Sequence, residues 1–407
     1  MPIRILDHGR GPRHDTRGTT NPRLSAKSCP PLWRDVAETL LLIALIVWLT
    51  MGPQYLFTAS PDLRDFQTFY ASGRAWLAGQ DLYASTGQNM NPPAFVLATV
   101  PFALLPLRTS LVIWWIVNAI AAAIAIRIVL QETGFRLTRV HVLIALGFAG
   151  TRSQLFLGQT AWLLMLPATL GWRAYRRGDD ARAGVWWGLL IAVKPIFLPV
   201  LLGFLWRRRY RTAGATIATG AAISLVGLLG GGIAGYRSWL STGHGVFWFF
   251  RELNASILGM VSRVGLAPSW RFALWVLLCA SVVALTWRRR RIPQADADAL
   301  TWVLVSLLIA PLGWVYYLPL ALGPFVAVTS THRWPRWSWV AMAGLFWPPG
   351  VLWSPTAAPT PVLIASLYGL STLALWWLAT SPSVEQGVAA RPHSPVLVPG
   401  PEPARAA

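Results

Sequence analysis

Few side chains in this 407-residue chain could accept a proton during catalysis, because only 15 residues are Asp or Glu. Most of these carboxylates fall in terminal segments or beside clusters of arginine. Asp65 stands apart, since it is followed by an amphipathic run with helical spacing, FQTFYASGRAWL. Such a run is typical of a helix that lies in the membrane interface. Asp65 at its start could act as a general base, or it could serve only as the helix N-cap.

Lys194 is the second residue with clear chemical potential. It is one of two lysines in the chain, and it interrupts an apolar segment next to Pro195. An ionisable side chain within an apolar segment indicates a functional site by default, and a lysine there could hold a phosphate group. The alternative is that Lys194 only extends its charge to the outer membrane interface while its alkyl chain stays buried.

Two polar patches also interrupt the apolar sequence. The first contains Arg152, Gln154 and Gln159. The second lies in a later loop and consists of Arg251, Glu252, Asn254, Ser256 and Arg263. Each patch could bind a polar ligand, and each could equally be an ordinary solvated loop.

The composition is that of a membrane protein. Hydrophobic residues make up 55% of the chain and charged residues 12%, whereas soluble domains carry about 25% charged residues. The apolar residues occur in blocks of roughly 15 to 25, about the length that crosses the hydrocarbon core. The sequence therefore predicts an all-α, polytopic integral membrane protein with about 10 to 13 membrane helices and an outer interfacial helix after the first span. Alternation of the loops requires one of the four apolar segments between 93 and 176 to be short or re-entrant, and 93–107 and 140–157 are the favoured candidates.

The formal net charge of +20 comes largely from short basic clusters, such as 207–211 and 288–291. This positive-inside pattern places the clusters at the cytoplasmic face, so membrane lipids are expected partners and nucleic acid is not. We expect 1–34 to be a disordered basic cytoplasmic arm and 35–380 to be the integral membrane domain. Residues 381–407, rich in Pro and Ala, are expected to form a disordered tail.

Arginines flank two apolar segments, 183–206 and 299–328, on both sides. A segment with cytoplasmic charge at both ends cannot cross the membrane only once. Each contains an interruption with proline, at Lys194-Pro195 and at 311–314, and proline breaks the hydrogen-bond ladder of a helix. Each segment should therefore be a broken hairpin whose tip points outward and lines a cavity.

Several short motifs resemble those of glycosyltransferase family 87, bacterial polyprenol-phosphate-mannose-dependent mannosyltransferases with the GT-C fold. They occur in the family's order over 36–380 and are Asp65-Phe66 with Tyr70, Gly79-Gln80-Asp81-Leu82-Tyr83, Asn91-Pro92-Pro93, Gly158-Gln159-Thr160, Ala183-Gly184 with Lys194-Pro195, Asn254-Ala255-Ser256 with Arg263, and Pro311-Leu312-Gly313-Trp314. The chain departs from the family at Asn91, where an aromatic residue is usual. It departs again at 315–317, where histidines are common and this chain has Val-Tyr-Tyr.

The resemblance implies that Asp65 is the catalytic base and that the donor is a sugar, usually mannose or arabinose, on a polyprenyl phosphate. Direct displacement would invert the anomeric carbon, and cations would stabilise the leaving phosphate. The acceptor would be a lipid or glycan. The expected substrate-binding residues are Tyr70, Tyr83, Gln159, Lys194, Asn254, Ser256, Arg263, Trp314 and Tyr317.

No metal site and no cofactor are expected, because the sequence contains no cluster with metal-ligand spacing. The resemblance places the protein in the cell membrane as a multi-pass protein, with its active site on the extracytoplasmic side. The alternative function is a transporter or flippase for a lipid-linked sugar, because broken helices with polar residues are also typical of transporters.

Overall fold

The computed structural model of the protein describes residues 42, 65–83, 89–244, 249–289, 294–331, 334–346 and 362–381. These residues form helices joined by short connections. Within these ranges no strand forms, and one isolated antiparallel bridge pairs Asn254 with Trp314. The predicted arm, nearly all of the first predicted span and the tail beyond residue 381 lie outside the described residues.

Seventeen α-helices are described in these ranges, and we number them in chain order. They are α1 Asp65–Leu77, α2 Pro93–Ala103, α3 Leu107–Thr133, α4 Arg139–Gly147, α5 Ala149–Leu157, α6 Ala161–Arg176, α7 Asp180–Val193, α8 Pro199–Trp206, α9 Tyr210–Gly227, α10 Gly232–His244, α11 Ile257–Arg263, α12 Pro268–Arg289, α13 Ala295–Ile309, α14 Leu322–Thr331, α15 Trp337–Ala343, α16 Val362–Ala365 and α17 Leu367–Ala379. Short 3-10 turns are Pro195–Phe197, Leu228–Gly230, Val315–Ala321 and Gly344–Phe346.

Length and composition identify the helices that could cross a membrane. Among the described residues three helices qualify, and they are Leu107–Thr133, Tyr210–Gly230 and Pro268–Arg289. The pair α4 and α5 would add a fourth span, but it is bent by 58°. Helix α2 has only 11 residues. Segments 93–107 and 140–157, the two candidates for a short or re-entrant path, therefore both differ from a straight membrane span. The prediction of an all-α polytopic membrane protein is confirmed.

The two predicted helix interruptions are present. Helix α7 ends at Val193, and Lys194 leaves helical geometry with φ −135° and ψ 85° before the turn Pro195–Phe197. Helix α13 ends at Ile309, and the chain continues irregularly before the 3-10 turn Val315–Ala321. Proline explains both breaks, since it removes a backbone donor and clashes with the preceding turn. The outward direction of the two tips stays a prediction.

Helices α7 and α9 pack closely through small residues. A Cβ at Gly184 would lie 2.4 Å from the Ala215 Cβ and 2.5 Å from the Thr212 carbonyl oxygen. One turn later, a Cβ at Gly188 would lie 2.6 Å from the Thr216 carbonyl oxygen. Small residues spaced by four allow helix backbones to approach in membranes, where packing replaces the hydrophobic effect as the driving force. This contact fixes α7, and with it the break at its end.

Ion pairs join arginines of the basic clusters to carboxylates on other helices. Arg207, directly after α8, forms a bidentate pair with Asp298 of α13, with Nε–Oδ2 and Nη2–Oδ1 distances of 2.9 and 2.7 Å. Both side chains are almost fully buried. Glu132 of α3 pairs with Arg173 of α6 at 2.7 Å and with Arg177 at 2.5 Å. A buried pair of this kind is costly to break because one charge is then left without a partner.

Candidate active site

Asp65 is the first residue of α1, and an aromatic cluster holds this helix in place. Phe66 and Phe69 are buried, and their ring centroids lie 5.5 and 6.1 Å from that of Trp114 on α3. Phe69 also meets Phe95 of α2 edge to face at 5.0 Å. Such offset and edge contacts are the favoured geometry for aromatic rings. The packing fixes the start of α1, and therefore the position of the carboxylate.

The Asp65 carboxylate accepts a hydrogen bond from the side-chain amide of Gln159. Gln159 lies in the loop between α5 and α6, directly after Gly158, which adopts a left-handed conformation with φ +62°. A Cβ at Gly158 would lie 2.7 Å from the Phe66 Cβ. Glycine is therefore required both by the backbone conformation and by the close approach of α1. Trp114 secures the same loop by donating its indole N–H to the Gly158 carbonyl at 2.8 Å.

A buried polar network holds the backbone of Gln159. The side-chain amide of Gln154 donates to the backbone carbonyl of Gln159 and to Oδ1 of Asn118, the latter at 3.2 Å. Asn118 Oδ1 also accepts the backbone N–H of Leu163 at 3.0 Å. Asn118 and Gln154 are both almost fully buried. A satisfied buried network of this kind rigidifies its members, so the network holds the Gln159 amide toward Asp65.

The environment of Asp65 makes its carboxylate a stronger base. Burial raises the pKa of Asp65 to about 6, while the Gln159 hydrogen bond and the positive charge of Lys194 act in the opposite direction. A general base works best when its pKa lies near the operating pH. Asp65 keeps partial solvent access. The geometry thus presents a buried but reachable carboxylate, and in the described residues no bond to the N–H groups of α1 makes it a helix cap.

Lys194 lies at the break between α7 and α8 and belongs to the same site. Its ammonium group donates to Oδ1 of Asn91. It lies 5.3 Å from the ring centroid of Tyr317 and 6.0 Å from that of Phe95, distances at which an aromatic face attracts a cation. Its positive charge favours the ionised form of Asp65. Lys194 therefore contacts side chains of the protein, and its position relative to the membrane interface stays a prediction.

The 3-10 turn Val315–Ala321 brings aromatic side chains to this site. Tyr316 and Tyr317 are buried, and their ring centroids lie 4.8 Å apart. Tyr317 is the ring that lies 5.3 Å from the Lys194 ammonium group. The Tyr316 ring stacks on Trp314 with centroids 6.0 Å apart and planes 15° apart. Tyrosines thus occupy the region where the resembled family often has histidines. Trp314 reaches the site through Tyr316.

Tyr70 and Tyr83 both use their hydroxyl groups to hold the backbone. The Tyr70 hydroxyl donates to the Leu105 carbonyl at 2.9 Å, between α2 and α3. The Tyr83 hydroxyl donates to the Asn91 carbonyl at 2.8 Å. Tyr83 therefore borders the site through Asn91. Whether either ring contacts a substrate stays a prediction.

Asn254 and Ser256 are fully buried and clamp two loops together. The Asn254 side-chain amide donates to the carbonyls of Phe249 and Pro311 at 2.9 and 3.0 Å, and its oxygen accepts the Gly313 N–H at 2.9 Å. Ser256 caps α11 by accepting the Gly259 N–H at 3.0 Å. These bonds use most of the hydrogen-bonding capacity of Asn254. These contacts give both side chains a structural role. Their contact with substrate stays a prediction.

Arg263 supports the same loop. Its guanidinium donates to the carbonyls of Phe250, Arg251 and Asn254 at 3.0, 2.6 and 2.7 Å, and to the Ser366 hydroxyl at 3.3 Å. The structure thus brings Asp65, Gln159, Lys194 and Tyr317 together. Asn254 and Ser256 bond to residues 311–313, directly before Trp314. Arg263 instead bonds to the backbone of residues 250–254 and to Ser366.

Sequence reasoning missed four residues as members of the site. Asn118 could have been found, since it is a polar residue in the middle of the 27-residue apolar helix α3. Asn91 stood out only as a departure from the resembled family, and Tyr316 likewise. Phe95 gave no signal, because an aromatic residue in an apolar run is unremarkable without its neighbours.

Comparison with known proteins identifies the family of this chain. A sequence model described as Glycosyltransferase family 87 matches residues 89–312. A polyprenol-phosphate-mannose-dependent alpha-(1-2)-phosphatidylinositol mannoside mannosyltransferase of Mycolicibacterium smegmatis is 28% identical over 396 residues, covering 83% of this chain and 86% of that protein. The same-named enzyme of Mycobacterium tuberculosis is 26% identical, covering 82% and 88%.

Similarity over a shorter stretch extends to a protein with a different named activity. An alpha-(1->3)-arabinofuranosyltransferase of Mycobacterium tuberculosis is 26% identical over 306 residues, covering 67% of this chain and 68% of that protein. No solved structure matches the chain. The family match spans more than half of the chain and includes Asn91, Gln159 and Lys194. With an all-α membrane fold and a buried carboxylate beside a lysine, this protein belongs to glycosyltransferase family 87 and is a membrane glycosyltransferase.

Proposed function

We propose that this protein transfers mannose from a polyprenyl-phosphate carrier to a lipid or glycan acceptor on the extracytoplasmic face of the cell membrane, with Asp65 as base. The observation that carries the proposal is the pairing of a buried, reachable carboxylate at Asp65 with the ammonium group of Lys194 in one site. A sugar transfer from a phosphate needs both a proton acceptor and a cation.

Asp65 would act on the acceptor. Its carboxylate takes the proton of an acceptor hydroxyl while that oxygen attacks the anomeric carbon, and the bond from this carbon to the phosphate oxygen breaks. The attack comes from the face opposite the phosphate, so the anomeric configuration inverts. One carboxylate is enough, because the polyprenyl phosphate leaves as a stable anion and needs no general acid.

Lys194 would stabilise the departing phosphate. An ammonium group has three N–H donors, and in the described part of the chain Lys194 commits one of them, to Asn91. The remaining donors are available to phosphate oxygens. A preorganised cation aimed at developing negative charge is worth more in a partly dry site than in water.

The relatives support the choice of donor and acceptor class. The two mannosyltransferases cover more than four fifths of this chain, and their names state dependence on polyprenol-phosphate-mannose and action on a phosphatidylinositol mannoside. A lipid-linked mannose donor and a glycolipid acceptor are therefore the first substrates to test. Because one relative is an arabinofuranosyltransferase, an arabinosyl donor should be tested in parallel with the mannosyl donor.

The length of α7 supports a site away from the cytoplasmic face. Asp180 at its start contacts Arg209, 3.4 Å away, in the basic cluster that follows α8. The helix has 14 residues, which at about 1.5 Å per residue separates Lys194 from that cluster by about 20 Å. This distance is a large part of the hydrocarbon thickness of about 30 Å.

The test is sugar transfer by purified protein in lipid, with polyprenyl-phosphate-mannose or polyprenyl-phosphate-arabinose as donor and a membrane-lipid extract as acceptor. Asp65→Asn should lose about a hundredfold or more in kcat, because the amide keeps the size but cannot accept the proton. Lys194→Met should lose at least about tenfold in kcat/KM for the donor. Asp179→Asn is the matched control, since Asp179 is a partly exposed carboxylate at the far end of α7 that caps the helix, a role that Asn also fills.

Each result has a clear meaning. Loss in Asp65→Asn with activity kept in Asp179→Asn supports the assigned base. Equal activity in Asp65→Asn and wild type would remove Asp65 from the mechanism. Transfer from the arabinosyl donor alone would correct the sugar, and transfer from neither donor would overturn the proposed function.

A further inference from the structure

The side chain of Asn91 accepts a hydrogen bond from the Lys194 ammonium group, and Asn91 forms several further hydrogen bonds. It is only 2% exposed. Its Nδ2 and its backbone N–H donate to Oδ1 of Asn89 at 2.9 and 3.1 Å, and its carbonyl accepts the Tyr83 hydroxyl at 2.8 Å. These bonds orient the Asn91 amide so that its oxygen faces Lys194.

The chain of bonds continues to the helix that carries Asp65. Asn89 donates from its side-chain amide to the Ser72 hydroxyl at 2.8 Å, and Ser72 donates to the Leu82 carbonyl at 2.7 Å. Ser72 lies two turns along α1 from Asp65. Asn89 and Ser72 are almost fully buried. Hydrogen bonds in a buried network restrict its members to few arrangements, so this network connects Lys194 to α1.

The type of acceptor at Asn91 matters for the charge of the site. A carboxylate in this position would form an ion pair with Lys194 and offset its charge. The amide oxygen of Asn91 orients the ammonium group but leaves its net charge for a ligand. Lysine has a long, flexible side chain that loses much rotamer entropy when it is fixed. A partner that fixes the side chain before the ligand arrives lowers the cost of binding.

We propose that Asn91 is a positioning residue for the transfer reaction, which holds Lys194 through the chain Asn91, Asn89 and Ser72 so that its charge meets the donor phosphate. The inference rests on the proposed function, because it assigns a role in binding the same donor. Asn91 itself touches Lys194 and not the reacting atoms.

The experiment is a double-mutant cycle of Asn91→Ala and Lys194→Met, with the donor KM and kcat measured on the purified full chain in lipid vesicles. Asn91→Ala should raise the donor KM by about tenfold, the size of effect seen when a partner that orients a ligating side chain is lost. In the Lys194→Met background the same substitution should change the donor KM by less than about twofold, because it acts through Lys194.

Residues that merely stabilise the fold give a different pattern. An Asn91→Ala effect on the donor KM that is equally large with and without Lys194 would overturn the proposal, and so would a wild-type KM in Asn91→Ala. Should Asn91→Ala fail to fold, Asn91→Ser fits the space, keeps a polar group for Asn89 and is too short to reach Lys194, and the same cycle is run with it. Absence of transfer by the wild type with either donor would instead count against the proposed function.

Discussion

The side-chain amide of Gln159 donates a hydrogen bond to Oδ2 of Asp65, across 94 residues of sequence. This bond connects the loop between α5 and α6 to the first residue of α1. It stabilises the charged form of Asp65, whereas burial favours the neutral form and raises its pKa to about 6. The balance of the two effects sets the pH range in which Asp65 can act as a base.

Transfer by the wild-type protein should decline as the pH falls through about 6, the pKa of Asp65. Below the pKa the carboxyl is protonated and cannot take the proton of the acceptor, so kcat/KM should fall about tenfold per pH unit. The measurement is a pH profile of kcat/KM in lipid vesicles. The residual rate of Asp65→Asn should show no such limb, and a wild-type profile that stays flat from about pH 5 to 7 would contradict the assignment.

Gln159→Leu should move the acidic limb of this profile to higher pH. In the wild-type protein the Gln159 hydrogen bond lowers the pKa of Asp65. Its removal should raise that pKa and leave less carboxylate at neutral pH. A rise of about one pKa unit would roughly halve the carboxylate fraction at pH 7, so activity should drop at neutral pH and recover at higher pH. An equal loss of activity at every pH would indicate that Gln159 only positions the substrate or the loop between α5 and α6.

Asn254→Ala should act chiefly on stability. The substitution leaves the Phe249 carbonyl and the Gly313 N–H without their Asn254 partner, and it removes one of the two donors to the Pro311 carbonyl. A buried group that loses its partner costs about 1–3 kcal/mol. We expect a lower melting temperature in detergent, with the donor KM of the remaining folded protein close to that of wild type. A large change in donor KM at unchanged melting temperature would instead support direct substrate contact.

Gly184→Ala should destabilise the contact of α7 with α9. The new methyl group would lie 2.5 Å from the Thr212 carbonyl oxygen, and overpacking of this kind costs about 1–3 kcal/mol. Gly214→Ala on α9 is the matched control, because a Cβ there has nothing within 4 Å. The comparison is between the thermal unfolding midpoints of the two variants in the same detergent. Equal midpoints would show that the helices separate without cost.

Part of the architecture could be predicted from composition and from the positions of prolines and arginines alone. Apolar blocks with arginines between them indicate a polytopic helical membrane protein, because the bilayer leaves few other solutions for the backbone. The breaks at Lys194-Pro195 and before Val315 followed from proline chemistry and charge placement, and both are present. Asp65 and Lys194 were conspicuous since each is a rare charge beside apolar sequence.

The geometry of the site could not be predicted in this way. Lys194 meets Asn91 across 103 residues, and Asp65 meets Gln159 across 94. Nothing local to these residues encodes the pairings, because they depend on how α1, α2 and α7 pack. Asn254 shows the converse, since a polar residue that read as a candidate ligand for substrate spends its hydrogen bonds on Phe249, Pro311 and Gly313.

The sequence by itself therefore determined the class of protein, the helix breaks and the two charged residues, because local composition controls partition into the membrane and helix formation. Only the tertiary structure decided which partners those charges have. Burial and long-range hydrogen bonds, which set the basicity of Asp65 and the orientation of Lys194, exist only once the helices have packed.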